Sequence, residues 1–168
     1  RPVRIMRALA YYKKAQTLRQ TGSLIESTKV IDQMDGEFAR DRDREIRLLC
    51  ARELLDAIRV KKDLNWLEVA LEDCNRFLAG VTLEEDPEMR ELTTQVHYLK
   101  GIMLRDSGQE DLAVDALEML GGPRQSDDSL IIRKFAARAM RETVALHMKK
   151  DKGVQAVDVC RRMIDTLE

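Results

Sequence analysis

Apolar residues along this chain recur at helical spacing, and no stretch alternates as a half-buried strand would. From about 3 to 20, Ile5, Ala8, Leu9, Tyr12, Ala15 and Leu18 fall on one face. After the break at Gly22 a second helix is predicted over 23–35, stopping near Gly36, with Ser23 and Glu26 as a capping box. A third, over about 39–62, carries the stripe Ile46, Leu49, Cys50, Leu54, Ala57, Ile58 and Val60 behind solvated first turns rich in Arg and Asp. The fourth covers about 65–79, with Asn65 and Glu68 as a cap pair, and Gly80 ends it. Asp86-Pro87-Glu88 opens the fifth: Asp caps, Pro takes the first position where its missing N–H does no harm, and Glu meets the positive end of the dipole. This helix runs to about Asp106. The sixth follows the Gly108 turn, with Ser107 and Glu110 as its box, and ends at Gly121-Gly122-Pro123. A seventh over about 129–149 has Ser126 or Asp128 as its cap, and an eighth covers about 153–167.

These eight segments are four copies of one unit. Ser27, Ala70, Ala113 and Ala156 stand 43 residues apart, each inside the second helix of a pair. Ile31, Cys74, Leu117 and Cys160 follow at the same interval, as do Met34, Phe77, Leu120 and Met163. Turn-tolerant residues precede them at Gly22, Asn65, Gly108 and Asp151. Ala15, Ile58, Gly101 and Val144 mark where the two helices of each pair cross. Leu18, Leu104 and His147 share a further column, which Lys61 breaks. A helical hairpin with one apolar face buries it only by stacking on its neighbours. The prediction is an all-α, single domain over 1–168, built of about four antiparallel helix pairs at about 3–36, 39–80, 86–122 and 128–168. A start at Arg1-Pro2 and an open apolar edge at Ile164 and Leu167 suggest a piece of a larger protein, with that edge as an interface.

The pattern resembles the tetratricopeptide repeat family. His97-Tyr98-Leu99-Lys100-Gly101 through Leu104, Gly108, Ala113, Leu117 and Leu120 is the clearest copy. Tyr11 through Ala15, Leu18, Gly22, Ser27, Ile31 and Met34 is the next. The family unit has about 34 residues; the period of 43 makes this a TPR-like variant with a longer first helix. Other helical-hairpin solenoids, such as HEAT-type repeats, fit the same pattern, whereas the shorter period of the pentatricopeptide RNA binders argues against them. The resemblance implies a right-handed α-α superhelix, a TPR-like solenoid whose first helices line a concave groove, and a role as a protein–protein interaction scaffold or adaptor. On that geometry Tyr12, Leu55, Tyr98 and Arg141 form one groove-facing column. Arg19, Lys62 and Arg105, with Met148-Lys149, form a second, and Leu9, Arg52, Gln95 and Arg138 a third. The candidate partner-binding residues are therefore Tyr12, Arg19, Arg52, Lys62, Tyr98, Arg105, Arg138 and Arg141, expected to hold an acidic segment of a partner protein. The family's carboxylate clamp uses Lys and Asn where this chain has Tyr12, Gln16 and Asp56, so a chaperone-tail role is not implied. A local account competes for Arg19, Lys62 and Arg105: cations in a last helical turn meet the dipole and need no ligand.

Composition narrows the function classes. Aromatics are 4% of the chain, so Leu, Ile, Val, Met and Ala fill the core. A net charge of −1 supplies no global attraction to nucleic acid or membrane. Nucleic-acid binding is thus a secondary expectation, as is a purely structural spacer; Lys149, Lys150, Lys152, Arg161 and Arg162 cluster near the end but are diluted by Asp151, Asp158 and Asp165. Three cysteines without framework spacing suggest free thiols and an intracellular setting, cytoplasm or nucleus, with Cys74 and Cys160 as core hydrophobes. No apolar run is long enough to span a bilayer. His97 and His147 fall on packed columns, and Glu84-Glu85-Asp86 and Asp127-Asp128 are helix-start charges. Cys and His lack metal spacing, and neither a phosphate loop nor a nucleophile set stands out. No enzymatic activity, cofactor, metal or small-molecule substrate is expected. Trp66 either packs on its adjoining loop or marks a partner surface. Self-association is expected, if anywhere, through Ile164 and Leu167.

Overall fold

The computed structural model describes residues 2–38, 41–80, 86–121 and 127–165. Among these residues every regular element is a helix: α1 (Pro2–Gln20), α2 (Leu24–Phe38), α3 (Arg44–Asp63), α4 (Leu67–Gly80), α5 (Pro87–Asp106), α6 (Glu110–Gly121), α7 (Leu130–Lys149) and α8 (Gly153–Asp165). They fall into two compact units, Arg1–Glu84 with α1–α4 and Glu85–Glu168 with α5–α8. Both units follow one plan. The first helix packs on the second and third, the second packs on the third, and the third packs on the fourth.

One turn is built four times. Gly22, Asn65, Gly108 and Asp151 all have positive φ, at 80°, 60°, 79° and 55°. The following residue donates its N–H five residues back: Ser23 to Leu18, Trp66 to Lys61 and Gln109 to Leu104 at 2.8 Å, and Lys152 to His147 at 2.9 Å. The left-handed residue itself donates three back, as Gly22 does to Arg19 at 3.1 Å. This is a Schellman closure, which satisfies the carbonyls that a helix end leaves bare. It replaces two expected capping boxes. Asn65 occupies the left-handed position rather than a cap, and Ser107 is the C-cap of α5, its hydroxyl donating to the Leu104 carbonyl at 3.0 Å.

Side-chain caps open the first helices of the pairs instead. Asp43 accepts from the Glu45 N–H, Asp86 from those of Glu88 and Met89, and Ser129 from that of Ile132. Ser129 therefore caps α7 in place of Asp128; the other expected cap, Ser126, lies outside the described residues. The third helix starts at Arg44, later than expected, because Asp41 and Asp43 form its entry. Asp41 is buried, accepts from the Asp43 N–H at 2.9 Å and pairs with Arg4. Past Gly36, α2 continues to bury Phe38 against Ala8, Met34, Ile46 and Leu49.

The small-residue column does what close helix packing requires. Ser27, Ala70, Ala113 and Ala156 are all buried, and the Ser27 hydroxyl donates to the Ala15 carbonyl on the facing helix at 3.0 Å. At Gly101 a Cβ would stand 2.6 Å from Leu117 Cγ and Cδ2, so only a bare Cα admits that leucine. Ile31, Cys74 and Leu117 are buried as expected. Cys160 is not: α8 packs through Ala156 and Val159 and leaves Cys160 on its outer face.

Candidate functional site

Unit 2 repeats unit 1 at a shift of 86 residues, down to its ion pairs. Arg4 pairs with Asp41, and Arg90 with Asp127; Arg19 pairs with Asp56, and Arg105 with Glu142. All four pairs span 37 residues, the distance from a first helix to the entry or body of the next. Arg76 with Asp32 is likewise repeated by Arg162 with Glu118. Lys61, which breaks the apolar column, is buried against Asp73 at 2.6 Å, with Asp32 4.0 Å away. In unit 2 the same places hold His147, buried 3.8 Å from Glu118, and Val159.

On the α1–α3 face of unit 1 the expected groove residues are largely consumed internally. Arg19 donates from both terminal nitrogens to the two Glu53 oxygens, at 2.8 and 3.0 Å, and reaches Asp56 at 3.3 Å. The Glu53 side chain is 1% exposed. The hydrogen bond to Glu53, against an opposing burial cost, raises the Arg19 pKa. Burial pushes the Glu53 carboxyl up, and the bond and charge of Arg19 only partly pull it back. Arg19 thus links α1 to α3 through Glu53 and Asp56. Tyr12 is half-buried and accepts from the Gln16 side chain at 2.9 Å, with the Lys13 ammonium 5.4 Å from its ring. Leu55, expected in the groove, is buried. Lys62 is half-buried 4.0 Å from Asp63, and Arg52 is exposed.

The equivalent face of unit 2 has a different balance. Ala139 stands where unit 1 has Glu53, Arg141 where it has Leu55, and Phe135 where it has Leu49. The Tyr98 and Phe135 rings meet at 5.3 Å between centroids, tilted by 59°. The Arg138 guanidinium lies 5.6 Å from the Phe135 centroid, with no carboxylate partner among the described residues. Glu142 takes Arg105 on one oxygen and Arg141, at 3.0 Å, on the other, while Arg105 also bonds Asp106 at 2.8 Å. Burial lowers the Arg105 pKa, but the bonds and charges of Asp106 and Glu142 outweigh it and raise it. Burial, seconded by Glu142, raises the Tyr98 pKa, while Arg138, Arg141 and Arg105 all pull against it. Three arginines thus act on one half-buried hydroxyl. Tyr98, Arg105, Arg138 and Arg141 come together here, and Tyr12, Arg19, Arg52 and Lys62 belong to unit 1. Phe135, whose ring neighbours both Tyr98 and Arg138, is absent from the expected set.

At the far helix, Ile164 is 59% exposed, with Val154 and Val157 also exposed. Leu167 lies outside the described residues. Trp66 is 39% exposed. Among the described residues no group of His, Cys, Asp and Glu is placed to hold a metal ion, and no helix is long and apolar enough to cross a membrane. Comparison with protein-family models, with curated proteins and with solved structures gave no match to this chain.

Proposed function

We propose that this chain is a protein–protein interaction scaffold, each unit being two consecutive TPR-like hairpins, and that its partner is an acidic segment bound on the α5–α7 face of unit 2. One observation carries the reading. At equivalent places unit 1 neutralises its arginine with the buried Glu53, whereas unit 2 replaces that carboxylate by Ala139 and adds Arg141. Arg138 lies 5.6 Å from the Phe135 ring and pairs with no carboxylate among the described residues, which favours an incoming acidic group. Aromatic and arginine side chains are also the types that dominate binding energy at protein interfaces.

The test is fluorescence anisotropy with a labelled hexaglutamate peptide at low ionic strength. The full chain binds it, the R138E/R141E variant does not, and K29E, on the exposed surface of α2, binds as the parent does. No binding, or equal binding by R138E/R141E, overturns the proposal. A gel shift with mixed-sequence RNA and DNA at two salt concentrations tests the nucleic-acid alternative, which predicts a shift that salt abolishes.

A second reading has its own observation. Val157, Cys160 and Ile164 are exposed on α8, while their counterparts on α6, Val114, Leu117 and Gly121, are buried where α6 packs on α7. A second copy of the chain would cover this face. Sedimentation velocity then shows concentration-dependent association that V157D/I164D abolishes; a monomer at all concentrations refutes it.

A further inference from the structure

We propose that Glu142 is an internal placeholder: a di-acidic partner segment sets one carboxylate in its place between Arg105 and Arg141 and a second on Arg138. This rests on the binding face proposed above and adds what the partner must carry and what it must displace.

The geometry gives the reason. Each Glu142 oxygen takes a different arginine, Oε2 that of α5 and Oε1 its own neighbour on α7. The Glu142 side chain keeps 15% exposure and Arg141 keeps 72%, so the bridge has a solvent side from which it can be exchanged. In unit 1 the same position, Asp56, bonds Arg59 at 3.0 Å and is only the secondary partner of Arg19, because Glu53 already takes both guanidinium nitrogens. That arrangement is closed. In unit 2 Ala139 takes the place of Glu53, and among the described residues Glu142 is the one carboxylate that answers Arg105 from across the helix pair. A single incoming carboxylate gains little by exchange, since it trades one ion pair for another. A second carboxylate on Arg138 supplies the surplus, because among the described residues that guanidinium has no carboxylate to give up. Displaced, Glu142 stays nearby and repels the newcomer, so it opposes binding both as competitor and as like charge.

E142Q is the decisive variant. The side chain keeps its size and an oxygen for one arginine but loses its charge. Hexaglutamate binding to E142Q is expected to tighten by about tenfold at low salt, a gain that shrinks as ionic strength rises. A glycine-serine peptide with one glutamate is expected to bind the parent chain at least about tenfold more weakly than hexaglutamate. The ultraviolet titration of tyrosine supplies a readout independent of any ligand. With Glu142 neutral, the three arginines act on Tyr98 with less opposition, and its ionisation moves to lower pH. If the parent binds hexaglutamate and E142Q binds it no more tightly, Glu142 is a structural brace and the placeholder idea is overturned while the binding face stands. If neither protein binds, both proposals fall. Equal binding of the one- and six-glutamate peptides overturns the di-acidic requirement.

Discussion

Replacing Arg19 by Met tests whether its pair with Glu53 braces the first unit. The substitution keeps an apolar stem and removes the guanidinium. Glu53 then loses both of its hydrogen bonds, 2.8 and 3.0 Å, with its side chain 1% exposed. Breaking one side of a buried ion pair costs about 3–5 kcal/mol; Arg19 is itself 16% exposed, which places the expected loss near the lower bound, about 3 kcal/mol. The pH dependence has a definite sign. Burial already holds Glu53 above its ordinary value of 4.5, so the folded state binds this proton more tightly than the unfolded state. Its contribution is fully present below 4.5 and is lost as pH rises through the folded value. Without Arg19 the folded value climbs further. The destabilisation is therefore largest at pH 7 and shrinks towards pH 5, by at most about 1.4 kcal/mol per unit. Urea unfolding followed by tryptophan fluorescence reads this directly, because Trp66 is the single tryptophan and lies in the same unit. Adding Glu53→Ala, the residue unit 2 carries at Ala139, should recover at least half of the loss. A loss below about 1 kcal/mol at pH 7, the value of an exposed pair, refutes the brace, as does the same loss at both pH values.

Gly101→Ala is expected to lower stability by about 1–2 kcal/mol in thermal unfolding, since a helix-favouring methyl does not offset a 2.6 Å approach to Leu117. At the turns the sign depends on the residue replaced. Gly108→Ala meets no neighbour within 4 Å, yet costs about 1 kcal/mol from its φ of +79°, and Asp151→Gly gains a few tenths of that at the equivalent position. Ellman titration of the folded chain should find one fast thiol, Cys160. Cys50, its pKa pushed up to about 12 by burial, and Cys74, also buried, should react only on unfolding, and Cys160→Ser should abolish the fast phase.

The helices and their turns are legible in the sequence because sterics fixes them. A small residue recurring every 43 positions marks a helix crossing, and Gly, Asn and Asp are the residues that best tolerate the left-handed turn. The function of the same residue types is less visible. Asn65 and Ser107 suit an N-cap as well as the end of the preceding helix, and only the hydrogen bonds decide. The site was harder still. Arg19 and Arg105 are equivalent by column, but buried Glu53 holds the first, while with Ala139 in that place the second turns to the part-exposed Glu142 and Asp106. An acidic residue 37 positions after each is the signal that was present, and it acquires meaning only once first helices are known to touch. Phe135 falls in a column with the core residues Leu49 and Leu92 and the exposed Met6, so the column does not say whether its ring is covered.

Within each unit, helices pack only on neighbours one or two along the chain, and the cross-helix bonds span from 12 residues, at Lys61 and Asp73, to 44, at Arg76 and Asp32. Loops this short close cheaply and early. As the ribosome extends the chain, each new helix has its contact surface already waiting in the last few dozen residues made. Each apolar face finds its cover soon after synthesis, save the outer side of α8 with Val154, Val157 and Ile164, which is the surface left for a chaperone to guard.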